Sequence, residues 1–145
     1  MRTELRKGTA FLQFVKFGIV GILNTCITLL AIYICKSLIG VNPYVSNAIG
    51  YGLGLLNSFF WNRNWVFRSK KTRINRQILL FLLGFGVCYL LQLFIVWVLT
   101  NTLLYDFEIP ILSFTLSGYG LATVIGNIAY TISNFIYNKF LTFKN

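Results

Sequence analysis

Two stretches of the chain end in nearly the same peptide, N-S-F-F-W-N-R-N-W-V-F closing at Phe67 and S-N-F-I-Y-N-K-F-L-T-F closing at Phe143. At a constant offset of 76 residues, Gly50 falls on Gly126, Phe59 on Phe135, Trp61 on Tyr137, Asn62 on Asn138, Arg63 on Lys139 and Phe67 on Phe143. In each copy a cation follows an amide, which follows an aromatic ring. Such a group offers a charge and hydrogen bonds to a phosphate, and the ring favours the level where lipid headgroups lie. The candidate phosphate-binding set is therefore Arg63, Lys139, Asn62 and Asn138, with Lys16 as a third cation near the end of the first apolar run. The simpler role for both cations is to snorkel to headgroups as topological anchors.

A second set of polar residues lies inside the apolar stretches. Asn127, Thr131, Asn134 and Asn138 are spaced by four, three and four, which puts them on one helical face with Tyr130 and Tyr137 at its flank. Gly21, Asn24 and Thr28 form a shorter stripe, and Asn47, Asn57 and Asn62 punctuate another run beside Gly50 and Gly54. An amide left unpaired in hydrocarbon costs several kcal/mol, roughly, so each must meet another side chain, backbone, water or a polar ligand. Interhelical bonding alone would account for any single one of them.

What is missing narrows the chemistry further. The chain has no histidine, and its three acidic residues, Glu4, Asp106 and Glu108, all lie outside the apolar runs. Proton-coupled export needs a carboxylate within the membrane, and acid–base hydrolysis needs titratable reagents, so neither fits. The chain reads as non-enzymatic, with no cofactor. Cys26, Cys35 and Cys88 are odd in number and lack the paired spacing of a metal site, so they read as small buried hydrophobes.

The elements that must position these residues follow from hydropathy. The 145 residues are 57% hydrophobic and 11% charged, and uncharged runs extend over 17–35, 41–62, 77–105 and 109–138. Each is about 19 residues or longer, enough to cross roughly 30 Å of hydrocarbon as a helix. A soluble bundle would need a charged face on each helix, and none of these stretches has one. Helices are predicted over about 11–38, 44–66, 76–103 and 111–140, with breakers at Gly40 and Asn42-Pro43 and an outer turn over about 105–110. The basic segment 68–76 is the linker between two halves of a single membrane domain spanning 1–145. Repeat one covers about 11–67 and repeat two about 77–143.

Charge sets the orientation. Twelve of the thirteen cations fall on one side of a four-span arrangement, leaving Lys36 opposite with Asp106 and Glu108. By the positive-inside rule both termini are cytoplasmic. The expected fold is all-α: a multi-pass membrane protein of four transmembrane helices, arranged as two tandem two-helix repeats of parallel topology. The net charge of +10 follows the membrane surface and implies no nucleic-acid partner.

With F-V-K-F-G-I-V-G-I-L-N-T near its start and the two repeated endings, the chain resembles the GtrA-like family over nearly its whole length. Members are small four-helix bacterial inner-membrane proteins associated with cell-surface polysaccharide synthesis, proposed to translocate polyprenyl-phosphate-linked sugars. The resemblance places Lys16, Gly21, Asn24 and Thr25 on the first motif, Asn57, Phe59, Asn62, Arg63, Trp65 and Phe67 on the second, and Asn134, Phe135, Asn138, Lys139 and Phe143 on the last. Lys16 and Lys139 stand where the family often has arginine, which keeps the charge but not a bidentate fork. It implies a polyprenyl-phosphate-linked sugar as partner, with Asn24, Thr28, Asn57, Trp61, Asn127, Tyr130, Asn134 and Tyr137 lining the headgroup route. A non-transporting partner that recruits a membrane glycosyltransferase through the basic linker is the second expectation. Four short helices enclose little volume, so self-association, for instance as a dimer among the membrane lipids, is expected.

Overall fold

A backbone placed in hydrocarbon must satisfy its own polar groups, and long apolar runs with few breakers do so as helices. The computed structural model describes residues 2–69, 73–105, 107–111 and 114–144. Residues 70–72 of the expected linker, Asp106 of the expected outer turn, and Leu112 and Ser113 lie outside the described residues. Helix α1 covers Arg2–Tyr33 and runs on as a π-helical turn, Ile34–Leu38. Gly40, at φ 77°, then supplies the left-handed residue that ends it. Asn42 starts the next helix, its side chain accepting from the Tyr44 N–H at 2.9 Å, with Pro43 at the first helical position. Helix α2 is Pro43–Trp61 and again closes in a π-helical turn, Asn62–Val66. Helix α3 is Ile74–Asn101 and helix α4 is Gly118–Tyr137, the latter capped by Ser117 and followed by a third π-helical turn, Asn138–Thr142.

Two expectations are corrected. The first helix begins at Arg2, well before Phe11, because Glu4, Leu5, Arg6 and Lys7 are good helix formers and no proline intervenes. The fourth helix begins at Gly118 instead of Ile111, and the fold is not purely α. Strands β1 (Glu108–Ile111) and β2 (Phe114–Ser117) pair antiparallel between α3 and α4, with Glu108 opposite Ser117 and Ile111 opposite Phe114. Pro110 disfavours helix at Ile109, and Ile109, Ile111, Phe114 and Thr115 are β-branched or aromatic, so local preference here is extended.

The chain packs as two compact units that divide between Arg73 and Ile74. In the first, α1 lies against α2, and a Cβ built on Gly50 would come within 2.6 Å of Ile32 and 2.9 Å of the Thr28 carbonyl oxygen. Only glycine allows that approach. In the second, α3 lies against α4, and a Cβ on Gly126 would meet Val96 at 2.6 Å and Gln92 at 3.3 Å. Phe17 packs on Phe67 with ring centroids 6.3 Å apart, tilted 57°, and Phe81 packs on Phe143 at 6.1 Å and 51°. These contacts match position for position: α1 maps onto α3 at an offset of 64 residues and α2 onto α4 at 76. The connection in the second hairpin is thus 12 residues longer, and β1–β2 lies within it.

Burial is inverted relative to a water-soluble domain. Ser46, Asn62, Ser69, Gln77, Asn138 and Thr142 are all buried, while large apolar side chains such as Phe11, Ile22, Leu90 and Phe94 stand exposed. Contiguous apolar exposure on this scale is what a lipid-facing surface requires. Two helical stretches, Thr9–Leu38 and Ile74–Asn101, are long and apolar enough to cross a bilayer. Helices α2 and α4 are shorter, at 19 and 20 residues, and are diluted by Gly, Asn, Ser and Tyr.

Candidate functional site: two amide-and-cation corners

Each hairpin closes where its second helix becomes a π-helical turn. π-turns widen the backbone ladder by one residue and recur at functional positions. At the first corner, Phe59, Asn62, Val66 and Phe67 are buried; at the second, Phe135, Asn138, Thr142 and Phe143 are. The Phe67 N–H donates to the Asn62 carbonyl at 2.9 Å, and the Phe143 N–H to the Asn138 carbonyl at 2.8 Å. The two corners are built alike.

Their amides are oriented by the bonds they make. Asn138 Nδ2 donates to the Asn134 carbonyl at 2.9 Å and to Asn134 Oδ1 at 2.8 Å; a carbonyl partner can only face the nitrogen, so the flip state is fixed. Asn134 Nδ2 in turn donates to the Tyr130 hydroxyl at 3.3 Å, making a ladder along α4. At the first corner Asn62 Nδ2 donates to Ser58 Oγ at 3.1 Å. Both Asn62 Oδ1 and Asn138 Oδ1 are buried and accept no hydrogen bond. Since phosphate oxygens also accept, these two atoms are better matched to a hydroxyl or N–H than to the phosphate itself.

The cations stand beside them. Arg63 and Lys139 are half-buried, and Lys139 Nζ lies 5.5 Å from the Phe135 ring centroid and 5.9 Å from that of Phe140. Lys16, also half-buried, holds its ammonium 5.2 Å from the Trp65 ring in the first unit, and Trp61 meets Trp65 edge-on at 5.8 Å. An ammonium over an aromatic face keeps its charge in a partly dry setting.

The amides along the helices divide between the hairpins. Asn57 Nδ2 donates to Asn24 Oδ1 at 2.7 Å, bridging α2 and α1, with Thr28 Oγ1 packed against Gly54 one turn further along α1. In the second hairpin Gln92 Nε2 donates to Asn127 Oδ1 at 2.8 Å, bridging α3 and α4. Thr131 turns back to the Asn127 carbonyl at 2.8 Å, so the expected stripe on α4 is only partly joined side chain to side chain. Tyr137 packs against Gly84, and Tyr130 meets Phe85 edge-on at 6.3 Å. Sequence reasoning passed over Gln92 and the fully buried Gln77, although a glutamine in an apolar helix is the same signal as the asparagines it did weigh.

A family model described as GtrA/DPMS, transmembrane domain, matches residues 16–143, from Lys16 to the buried Phe143 of the second corner. The chain belongs to the GtrA/DPMS transmembrane-domain family. The GtrA/DPMS match takes in both hairpins and both corners, and with the apolar exposure it makes this a membrane protein of a family tied to lipid-linked sugar handling. A comparison with curated proteins finds no match.

Proposed function

We propose that the protein translocates a polyprenyl-phosphate-linked sugar across the bacterial inner membrane, for cell-surface polysaccharide synthesis or glycosylation. In this reading all four helices span the bilayer as two tandem hairpins, both termini and the basic segment are cytoplasmic, and the protein is a non-enzymatic carrier that works as a homo-oligomer. The observation that carries the reading is the recurrence, in two separately packed hairpins, of a buried amide with an unused acceptor next to a half-buried cation. A buried acceptor without a donor costs about 1–3 kcal/mol, and its repetition at equivalent positions argues for a ligand that supplies the donor. A sugar phosphate supplies both halves of the match: hydroxyls to donate to Asn62 and Asn138, and an anion for Arg63, Lys139 and Lys16. The mid-helix bridges Asn24–Asn57 and Gln92–Asn127 offer exchangeable polar partners to a headgroup leaving water, while the prenyl tail stays in lipid.

The test is flipping of a fluorescent polyprenyl-phosphate sugar in proteoliposomes. Arg63→Ala and Lys139→Ala should each lower the rate at least tenfold, and Lys139→Arg should retain it. Parental rates in both alanine variants end the proposal. A second reading, in which the protein recruits a glycosyltransferase without moving lipid, draws on the exposed Arg68, Arg73 and Arg76. Reversing those charges would then abolish co-purification of the transferase and spare lipid binding.

A further inference from the structure

The two hairpins are alike at their corners and unlike one step further in. In the second hairpin a groove of about 330 Å³ runs between α3 and α4, lined by Val87, Cys88, Leu91, Ser133, Tyr137 and Phe140 among others, and its walls are almost wholly apolar. At the offsets that superpose the other contacts, Cys88 corresponds to Asn24, Ser133 to Asn57, Tyr137 to Trp61 and Leu141 to Trp65. In the first hairpin those positions hold the 2.7 Å bridge between Asn24 and Asn57 and the edge-on pair Trp61–Trp65, with Lys16 over the latter ring. One hairpin thus carries an amide bridge and two indoles where the other carries a thiol and a small hydroxyl beside a hollow.

We propose that this groove is the seat of the first isoprene units of the polyprenyl tail, with Lys139 at its rim holding the phosphate. The inference rests on the function proposed above and divides the labour of the duplicated site: tail in the second hairpin, polar head against the amide bridge of the first. Charge places the occupant's head. The Phe140 ring that lines the groove lies 5.9 Å from the Lys139 ammonium, so a chain lying in the groove starts beside a cation. Size limits what fits. With each carbon taking about the 30 Å³ of a liquid water molecule, a five-carbon isoprene unit needs roughly 150 Å³, and the groove accepts about two units. Branching selects among chains. The methyl of each isoprene unit widens the tail where Cys88 and Ser133 leave room, whereas a straight acyl chain would leave that width unfilled.

The experiment uses the full chain in phosphatidylcholine nanodiscs and a farnesyl phosphate with a diazirine at the far end of its tail. Cross-links are mapped by mass spectrometry, and total binding is measured separately without light. Cross-links on 87–91 and 133–141 are expected, and unlabelled farnesyl phosphate should displace the probe at a concentration at least tenfold lower than hexadecyl phosphate, which has the same head on a straight tail. Ser133→Phe, which fills the groove, should weaken binding about tenfold, while Ile132→Phe on the exposed neighbouring face should not. Equal displacement by hexadecyl phosphate overturns the inference, because the groove then takes any acyl chain. Saturable farnesyl phosphate binding with cross-links elsewhere also overturns it but leaves the proposed substrate standing. An absence of saturable binding removes both.

Discussion

Thr142 should be more useful to the protein's stability as valine. It is 1% exposed, its Oγ1 is buried with no partner, and the equivalent position in the first hairpin is Val66, 3% exposed in the matching corner. A buried hydroxyl without a hydrogen bond costs about 1–3 kcal/mol. Replacing it by a methyl of nearly the same shape removes that cost and adds apolar contact of about 0.8 kcal/mol, less whatever the lipid-embedded unfolded state already gains. Thr142→Val should therefore stabilise by about 1–2 kcal/mol, near a tenfold rise in the folded-to-unfolded ratio. Val66→Thr should cost a similar amount. Thr131→Val is the control, because Thr131 Oγ1 already donates to the Asn127 carbonyl at 2.8 Å and its loss should change little. Equilibrium unfolding in SDS micelles, followed by tryptophan fluorescence, measures all three. If Thr142→Val destabilises, or moves no further than Thr131→Val, the hydroxyl has a partner and the reasoning fails.

Gly50→Ala forces a Cβ against Ile32 and the Thr28 backbone, so it should cost about 2 kcal/mol in the same assay. Gly52→Ala, which meets nothing within 4 Å, should stabilise by up to about 1 kcal/mol; equal effects would mean that the helix approach is not as drawn. A double-mutant cycle with Asn24→Leu and Asn57→Leu should return a coupling of about 0.6–1.7 kcal/mol, and a value of zero denies their hydrogen bond. Arg68 holds φ at 50°, a left-handed backbone that β-branched residues resist. Arg68→Gly should leave stability level or raise it by about 1 kcal/mol, and Arg68→Val should lower it by a similar amount; the reverse order of melting temperatures contradicts the assigned turn.

Much of this was legible in the sequence because the duplication states it twice. The shared ending from Phe59 to Phe67 and from Phe135 to Phe143 located both corners, and the weaker pairing of Gln13 with Gln77 gave the offset of 64 that the contacts of Gly50 and Gly126 now show. Helix ends were harder. Arg2 to Ala10 has the charge of a cytoplasmic tail but the propensity of a helix, and hydropathy alone weighs only the former. The stretch 109–117 is apolar enough to pass for the start of a span, and only Pro110 and the β-branched residues around it hint at strands. The site residues divided in the same manner. Spacing placed Asn24, Asn57, Asn127, Asn134 and Asn138 on inward faces, but it does not say which amide atoms are already taken. That is why Asn62 and Asn138, chosen for a phosphate, turn out to offer spare acceptors. The groove at Cys88 and Ser133 left no mark in the sequence, since a hollow is made by small residues whose types are ordinary.

The 12 extra residues that carry β1 and β2 entered the second hairpin without shifting a single matched contact between α3 and α4. Pairing of the helices is therefore dictated from the corner end, and the far connection is free to change length. Evolution can lengthen, shorten or decorate that tip as a separate module, and an engineer can do the same: an epitope, a fluorophore or a fused domain placed there should report on the carrier without disturbing it.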